Sequence, residues 1–297
     1  TGDVKIANDA TLETQKSTAA NKTTTLTQNI GLSGNATIST NDAENITQIT
    51  SIVSGDGSLT KAGAGTLSLT ADNTFKGATT TIKEGTLAIS RTGSLGEATQ
   101  IDIKDGATLK TNQDVTIKQK VIIADGDTAK IDTGGKNSTL SGQIIKDSGG
   151  VTGGTLEKIG GGSLALTDAN NKQSNTVISG GILIINDKGN LGTSGGAVTI
   201  SSGTLQTNAD MLGANALSNN IITSGSAGGS INTGGHDVDL TGNITGGGRF
   251  VKTGGGTLTL TQANNYNIGT TLDKDAKPVS VIGNTFINGG VLAISND

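Results

Sequence analysis

The chain has 297 residues, enough for two ordinary globular domains, yet only 32% are hydrophobic and 1% aromatic, which excludes a thick, isotropic core. Glycine supplies 47 residues and proline one, and cysteine is absent, which removes disulfides and thiolate metal sites. The net charge of −4, from 21 basic and 25 acidic residues spread without a basic cluster, lacks the footprint of nucleic-acid binding.

No apolar run approaches the eighteen residues of a membrane span, so membrane insertion by this chain is not expected. No basic segment followed by an apolar one opens the sequence, and a chain that begins at Thr1 without Met reads as a fragment excised from something longer. The glycine-rich composition fits either a disordered polymer or an all-β chain whose tight turns need residues tolerant of positive φ. Periodicity decides between them.

The first anchor, Lys61-Ala-Gly-Ala-Gly-Thr-Leu-Ser-Leu-Thr70, has the form K-x-G-x-G-[ST]-L-x-L-T and is followed by a partner of the form G-x-L-x-I, Gly85-Thr-Leu-Ala-Ile89. Gly93-Ser-Leu-Gly96 comes next, then Ile101-Asp-Ile-Lys-Asp-Gly-Ala-Thr-Leu109, then a block from Ile131 to Ile144. The same series restarts with Lys158-Ile-Gly-Gly-Gly-Ser-Leu-Ala-Leu-Thr167 and Gly181-Ile-Leu-Ile-Ile185. It continues through Gly189-Asn-Leu-Gly192, Val198 to Leu205, and Ile231 to Ile244. A third anchor and partner are Lys252-Thr-Gly-Gly-Gly-Thr-Leu-Thr-Leu-Thr261 and Gly290-Val-Leu-Ala-Ile294; the three lysines stand 97 and 94 residues apart. A module of about 95 residues repeated in fixed order is not low-complexity composition.

Within a module Leu67, Leu69, Leu87, Ile89, Ile101, Ile103 and Leu109 fall on alternate positions, so each strand buries one face. The apolar centres Leu67, Leu87 and Leu109 follow one another at nearly even spacing with Gly or Asn clusters between them. That spacing is one coil of two or three short strands, with no stretch long enough for a crossover helix. Coils must then stack in parallel register about 4.8 Å apart around a slim interior filled by Leu, Ile and Val. The expected fold is all-β: a parallel β-helix (β-solenoid) of about 13 coils and roughly 60 Å, right-handed by the rule for parallel crossovers.

The segment Gly63 to Ile89, G-A-G-T-L-S-L-T-A-D-N-T-F-K-G-A-T-T-T-I-K-E-G-T-L-A-I, resembles the passenger-associated repeat of bacterial autotransporters. All three copies are recognisable. The Asn- and Thr-rich, proline-poor style is similar to the large rickettsial surface antigens of the outer-membrane protein B type. The resemblance implies a β-helical passenger exported through a C-terminal β-barrel and displayed on the cell surface, commonly as an adhesin. Its partner would be a host cell-surface protein or glycan. The sequence lacks both a signal peptide and a barrel. The whole of 1–297 is read as one passenger fragment with modules anchored at 58–89, 155–185 and 249–294.

A glycan-active β-helix enzyme, lyase or hydrolase, is the alternative. Its carboxylates would be Asp125 with Asp127 or Asp237 with Asp239, where alternate spacing puts each pair on one strand face. Asp237 and Asp239 match Asn137 and Thr139 of the preceding module, which favours solvated charge beside a turn. His236 is the single histidine and aligns with Lys136 after Gly-Gly, an exposed turn rather than a triad member. Asp125-Gly-Asp127 resembles a calcium loop only faintly. The runs Gly160 to Gly162 and Gly254 to Gly256 lack the Lys-Ser/Thr of a phosphate cradle and read as turns. Outward Thr66, Ser68 and Thr70, with Thr257, Thr259 and Thr261, recur once per module, too sparsely for an ice-binding lattice. No catalytic, cofactor-binding or metal residue is assigned, no cofactor is expected, and the chain reads as a non-enzyme.

One departure from the repeat remains. The anchor's last Thr and the corresponding Ile are Thr70 and Ile82 in the first module, Thr167 and Ile178 in the second, and Thr261 and Ile287 in the third, where the interval more than doubles. The surplus cannot enter a coil without breaking register, so a loop insertion is expected at about 264–281. It holds Pro278, Tyr266 and the charged run Asp273 to Lys277, and is the expected contact surface.

Overall fold

Runs of four or five alternating residues separated by Gly or Asn pairs can pair sideways only with the same run one coil later. The structure, a computed structural model, describes residues 2–15, 22–147, 153–193, 195–266, 268–272, 278–282 and 285–295. It is a parallel β-solenoid in which each coil visits three faces in the same order. The first face runs through the molecule as a twelve-stranded sheet, from Thr23–Leu26 to Asn265–Tyr266. The second holds three strands ending at Val53–Gly55 and, after an interruption, eight from Thr116–Ile117 to Thr285–Asn288. The third holds seven strands from Thr11–Thr14 to Ile144–Ile145, then three from Val238–Leu240 to Val291–Ile294.

The twelve strands of the first face are separated by eleven turns, and the second face, with three strands, two coils without one and eight more, spans thirteen levels. A uniform coil would set every partner the same distance along the chain from the last. The successive partners are instead Leu67, Leu87, Leu109, Ile131 and Lys158, and the last of these steps takes up clearly more chain than the first. Ile268–Leu272 also pairs antiparallel with Pro278–Ile282, outside the parallel ladder. At about 4.8 Å per coil the solenoid is roughly 60 Å long. Of the expected insertion at 264–281, residues 267 and 273–277, and with them the charged run, lie outside the described residues.

The inward parity is the one the alternation predicts. Leu67 faces Leu87 and Leu87 faces Leu109 in register, and Leu164, Leu183 and Leu205 form the matching ladder a module later. All six are fully buried. Leu292, opposite Leu258, is only partly buried, because no described coil lies beyond it.

The two interruptions are bridged in the same way. After the first anchor the second face carries no strand for two coils, and after the second anchor the third face carries none until Val238–Leu240 apart from isolated bridges at Met211 and Leu217. Backbone groups freed there need other partners, and asparagines supply them. Asn73 accepts the N–H of Val53 (2.8 Å) from the coil below and donates to Ser94 O (2.6 Å) in the coil above. Asn171 repeats this with Ile144 N–H (2.8 Å) and Asn190 O (3.0 Å). The motifs Gly93-Ser-Leu-Gly96 and Gly189-Asn-Leu-Gly192 become 3-10 turns over Thr92–Leu95 and Lys188–Leu191, each inserting a buried leucine, Leu95 or Leu191. Phe75, one of three phenylalanines, fills the irregular sector of the first interruption and is fully buried.

Leu183 lies between Leu164 and Leu205 in a tube too narrow to collapse around a void. Leu183→Ala should therefore cost about 2–4 kcal/mol, read as a lowered urea midpoint with unchanged slope.

Candidate functional site

The three anchors build one recurring corner. Lys61, Lys158 and Lys252 share the inward parity of Leu59, Leu156 and Phe250, and all three have 0% exposure. Each lysine stem occupies a rung of an aliphatic ladder: Lys61 between Ile38 and Ile82, Lys158 between Ile131 and Ile178, Lys252 between Ile231 and Ile287. The methylenes thus replace a leucine and carry the ammonium on to the adjoining turn.

There the ammonium meets three backbone carbonyls, two from its own turn and one from the coil above. Lys61 Nζ donates to Ala62 O (2.8 Å), Gly63 O (2.6 Å) and Glu84 O (3.0 Å). Lys158 Nζ donates to Ile159 O (2.9 Å), Gly160 O (2.8 Å) and Gly180 O (3.1 Å). Lys252 Nζ donates to Thr253 O (3.0 Å), Gly254 O (2.8 Å) and Gly289 O (3.1 Å). An ammonium has three N–H donors, so each corner matches donors to acceptors one for one. Burial pushes the Lys61 amine down to about 8 against the partial opposition of Glu84, and the Lys158 amine down to about 8 against that of Asp132. Burial lowers Lys252 as well.

The partner glycine is required by the same corner. Gly181 has φ +65°, and a Cβ there would lie 2.3 Å from Gly162 O and 2.8 Å from Lys158 Nζ. Gly290, at φ +65°, would meet Gly256 O at 2.2 Å and Lys252 Nζ at 2.8 Å. The motif G-x-L-x-I is therefore the upper storey of the anchor: Thr66–Leu69 pairs with Thr86–Ile89, Ser163–Leu166 with Ile182–Ile185, and Thr257–Leu260 with Val291–Ile294.

The sequence reading assigned these lysines no role. The available signal was a lysine on the apolar parity in all three copies. The glycine runs are turns, as expected, and at Gly160 and Gly254 they aim carbonyls at a cation, the opposite polarity from a phosphate cradle.

The other candidates do not converge. Asp125 and Asp127 flank Gly126 in a turn and do not share a strand face, which corrects the expectation for that pair. Burial first, then neighbouring Asp105, raises the Asp127 carboxyl. Asp237 is exposed and its Oδ1 accepts Thr257 N–H of the next coil (2.6 Å), while Asp239 lies on Val238–Leu240. His236 sits half-exposed beside the turn, 3.3 Å from Asp210 Oδ1, and that same oxygen accepts Asp237 N–H (3.1 Å). Asp114 plays this part for Asn137 N–H (2.8 Å), and Asn137 Oδ1 accepts Ser163 Oγ–H of the next coil (2.9 Å), so acid and amide alike bridge coils. Ser68, expected outward, is buried at 6% exposure between Gln48 and Ala88. A groove of about 450 Å³ is lined by Gln100, Asp102, Lys104, Ile122, Lys146 and Asp147, and its Asp102 is ion-paired to Lys104 at 2.7 Å. No group of acids and histidines suited to a metal ion occurs among the described residues.

The corners coincide with a known family signature. The passenger-associated-transport repeat matches residues 59–89, 156–185 and 250–274. The chain carries autotransporter passenger repeats. The third match stops at 274, within the stretch by which the third module is longer. The adhesin BmaC autotransporter of Brucella suis biovar 1 (strain 1330) is 36% identical over 128 residues, 43% of this chain and 4% of that protein. The match thus spans a small fraction of that relative's length. No solved structure matches the chain.

Lys158→Met keeps the stem but removes the ammonium from the carbonyls of Gly160 and Gly180, while Ile159 O retains Thr133 N–H (3.4 Å), and should lower stability by about 1–3 kcal/mol. Gly181→Ala should cost at least about 1–2 kcal/mol from the left-handed backbone alone. Between the folded value of about 8 and the ordinary 10.5, the unfolded chain holds protons on Lys61 and Lys158 that the folded chain has released. Stability should therefore rise with pH across that window, the desolvation cost being fully present below pH 8. The neutral amine keeps two of its three donors. Urea midpoints of the wild type from pH 8 to 10.5 should climb, and those of the double variant Lys61→Met/Lys158→Met should climb less.

Proposed function

We propose that the chain is a structural and adhesive passenger segment of an autotransporter, exported across the outer membrane and held at the bacterial surface as a rigid rod that presents host-contact surfaces. The observation that supports this most is the coincidence of three passenger repeats with three identical internal corners, joined by the likeness to a relative named as an adhesin. A surface rod needs length and rigidity from few hydrophobic residues, and stacked coils with side-chain caps provide both. Of the carboxylates that the enzymatic alternative would use, Asp237 is tied to the backbone of the next coil, and Asp125 and Asp127 do not share a strand face. A non-enzymatic role fits this arrangement better.

Contact is proposed for the segment 264–281, where the third module departs from the other two and an antiparallel pair leaves the parallel ladder. The partner would be a host-surface protein or glycan. The test is to display the segment on a non-adherent bacterium through a heterologous translocator and count bacteria bound to cultured epithelial cells. A several-fold gain over the empty translocator is expected, and equal binding at equal surface density would overturn the adhesive reading. Deleting residues 267 to 278 should reduce the gain while leaving the cooperative melt of the purified chain in place, because Ile268–Leu272 and Pro278 belong to the antiparallel pair and not to the parallel ladder.

A further inference from the structure

The three corners also indicate what the repeat itself is for. Residues identical in all three copies lie inside the tube or in its turns: Lys61, Lys158 and Lys252, the anchor and partner leucines, and the partner glycines Gly85, Gly181 and Gly290. Residues pointing outward from the same strands mostly differ in chemistry, the hydroxyls of Thr66, Ser163 and Thr257 excepted. Thr60 corresponds to Glu157 and Val251, and Thr86 to Ile182 and Val291. A repeated contact surface would show the reverse pattern.

The placement of the copies gives an independent argument. In the first module the lysine strand Ser58–Ala62 is on the third face and its leucine strand on the first. In the second module they occupy the first and second faces, and in the third the second and third. Each module therefore advances the corner by one face, and equivalent outward positions point in three directions. No single flat partner could engage them together.

We propose that the passenger repeat is a folding block: each buried lysine locks its own coil to the next, and the solenoid opens between these locks rather than uniformly. Coils in a solenoid contact only their neighbours, so stability is a sum of local terms and the strongest interface opens last. Three charge-assisted bonds from one buried ammonium, one of them crossing to the coil above, make the anchor–partner interface the strongest of each module. The strandless sector that follows each of the first two anchors is held by side-chain caps and is where opening begins.

Native-state hydrogen exchange on the purified 297-residue chain at neutral pH tests this. Amides of Thr66–Leu69 with Thr86–Ile89, and of Ser163–Leu166 with Ile182–Ile185, should exchange at least tenfold more slowly than those of Gln100–Ile103 and Ala197–Ile200. In Lys158→Met the second block should lose at least tenfold protection while the first keeps its own. Uniform protection across these strands, or an equal loss in both blocks, would overturn the proposal. Should Lys158→Met fail to fold, pulse labelling of the wild type with an amine-reactive acetylating reagent replaces it. Lys61 and Lys158 should then react at the slow rate of their own blocks, and reaction at the rate of exposed Lys83 and Lys118 would refute the locks.

Discussion

A solenoid interior is narrow and dry, and at every corner the chain turns some carbonyls toward it. Those carbonyls cannot be left unpaired, because each would cost about 1–3 kcal/mol, and they cannot reach water. At three corners a single lysine answers the problem twice over. Its four methylenes continue the aliphatic ladder, and its ammonium supplies as many donors as there are carbonyls. A leucine would satisfy only the first demand, and a serine only part of the second. Burial opposes the charge, as the amines lowered to about 8 record, yet near neutral pH the protonated form fits the geometry.

The composition follows from the same economy of space. Wherever the strand ladder lapses, Asn73, Asn171 and Asn264 accept an N–H from the coil below, and at ordinary turns Asp105, Asp114 and Asp237 accept one from the coil above. Asparagine and aspartate are abundant because a short side chain with one well-aimed oxygen spans the gap between coils. Internal threonines serve likewise: Thr133 and Thr233 bond to Gly161 O and Gly255 O. Aromatic rings are scarce because a regular coil has little room for them: Phe75 is buried where the coil is irregular, and Phe250 is buried on the ladder opposite Gly229.

The third module shows how such a rod gains a feature without losing register. Lys252 reaches Gly289 across a much longer stretch of chain than the one over which Lys158 reaches Gly180, and the bonds are the same. The surplus lies between Asn265–Tyr266 on the first face and Thr285–Asn288 on the second, at the step where the earlier modules have no strand. The described part of it, Ile268–Leu272 paired antiparallel with Pro278–Ile282, lies outside the parallel ladder, where extra chain does not shift the register of a paired strand.

The period-2 alternation and the order of the repeats already specified a parallel solenoid, a coil of two or three short strands, and the burial of Leu67, Leu87 and Leu183, because these depend only on local spacing. The lysines had the same spacing but were legible only as charges, since alternation says which way a side chain points and not what it finds there. That three carbonyls converge on each ammonium is a relation between consecutive coils, set by how a turn stacks on the turn above. The burial of Ser68 and the one-face advance of successive modules depend equally on exact coil lengths, which differ between the step from Leu67 to Leu87 and the step from Ile131 to Lys158 on the same face. A small difference in the length of a turn is invisible to periodicity, yet it decides which face the next strand joins.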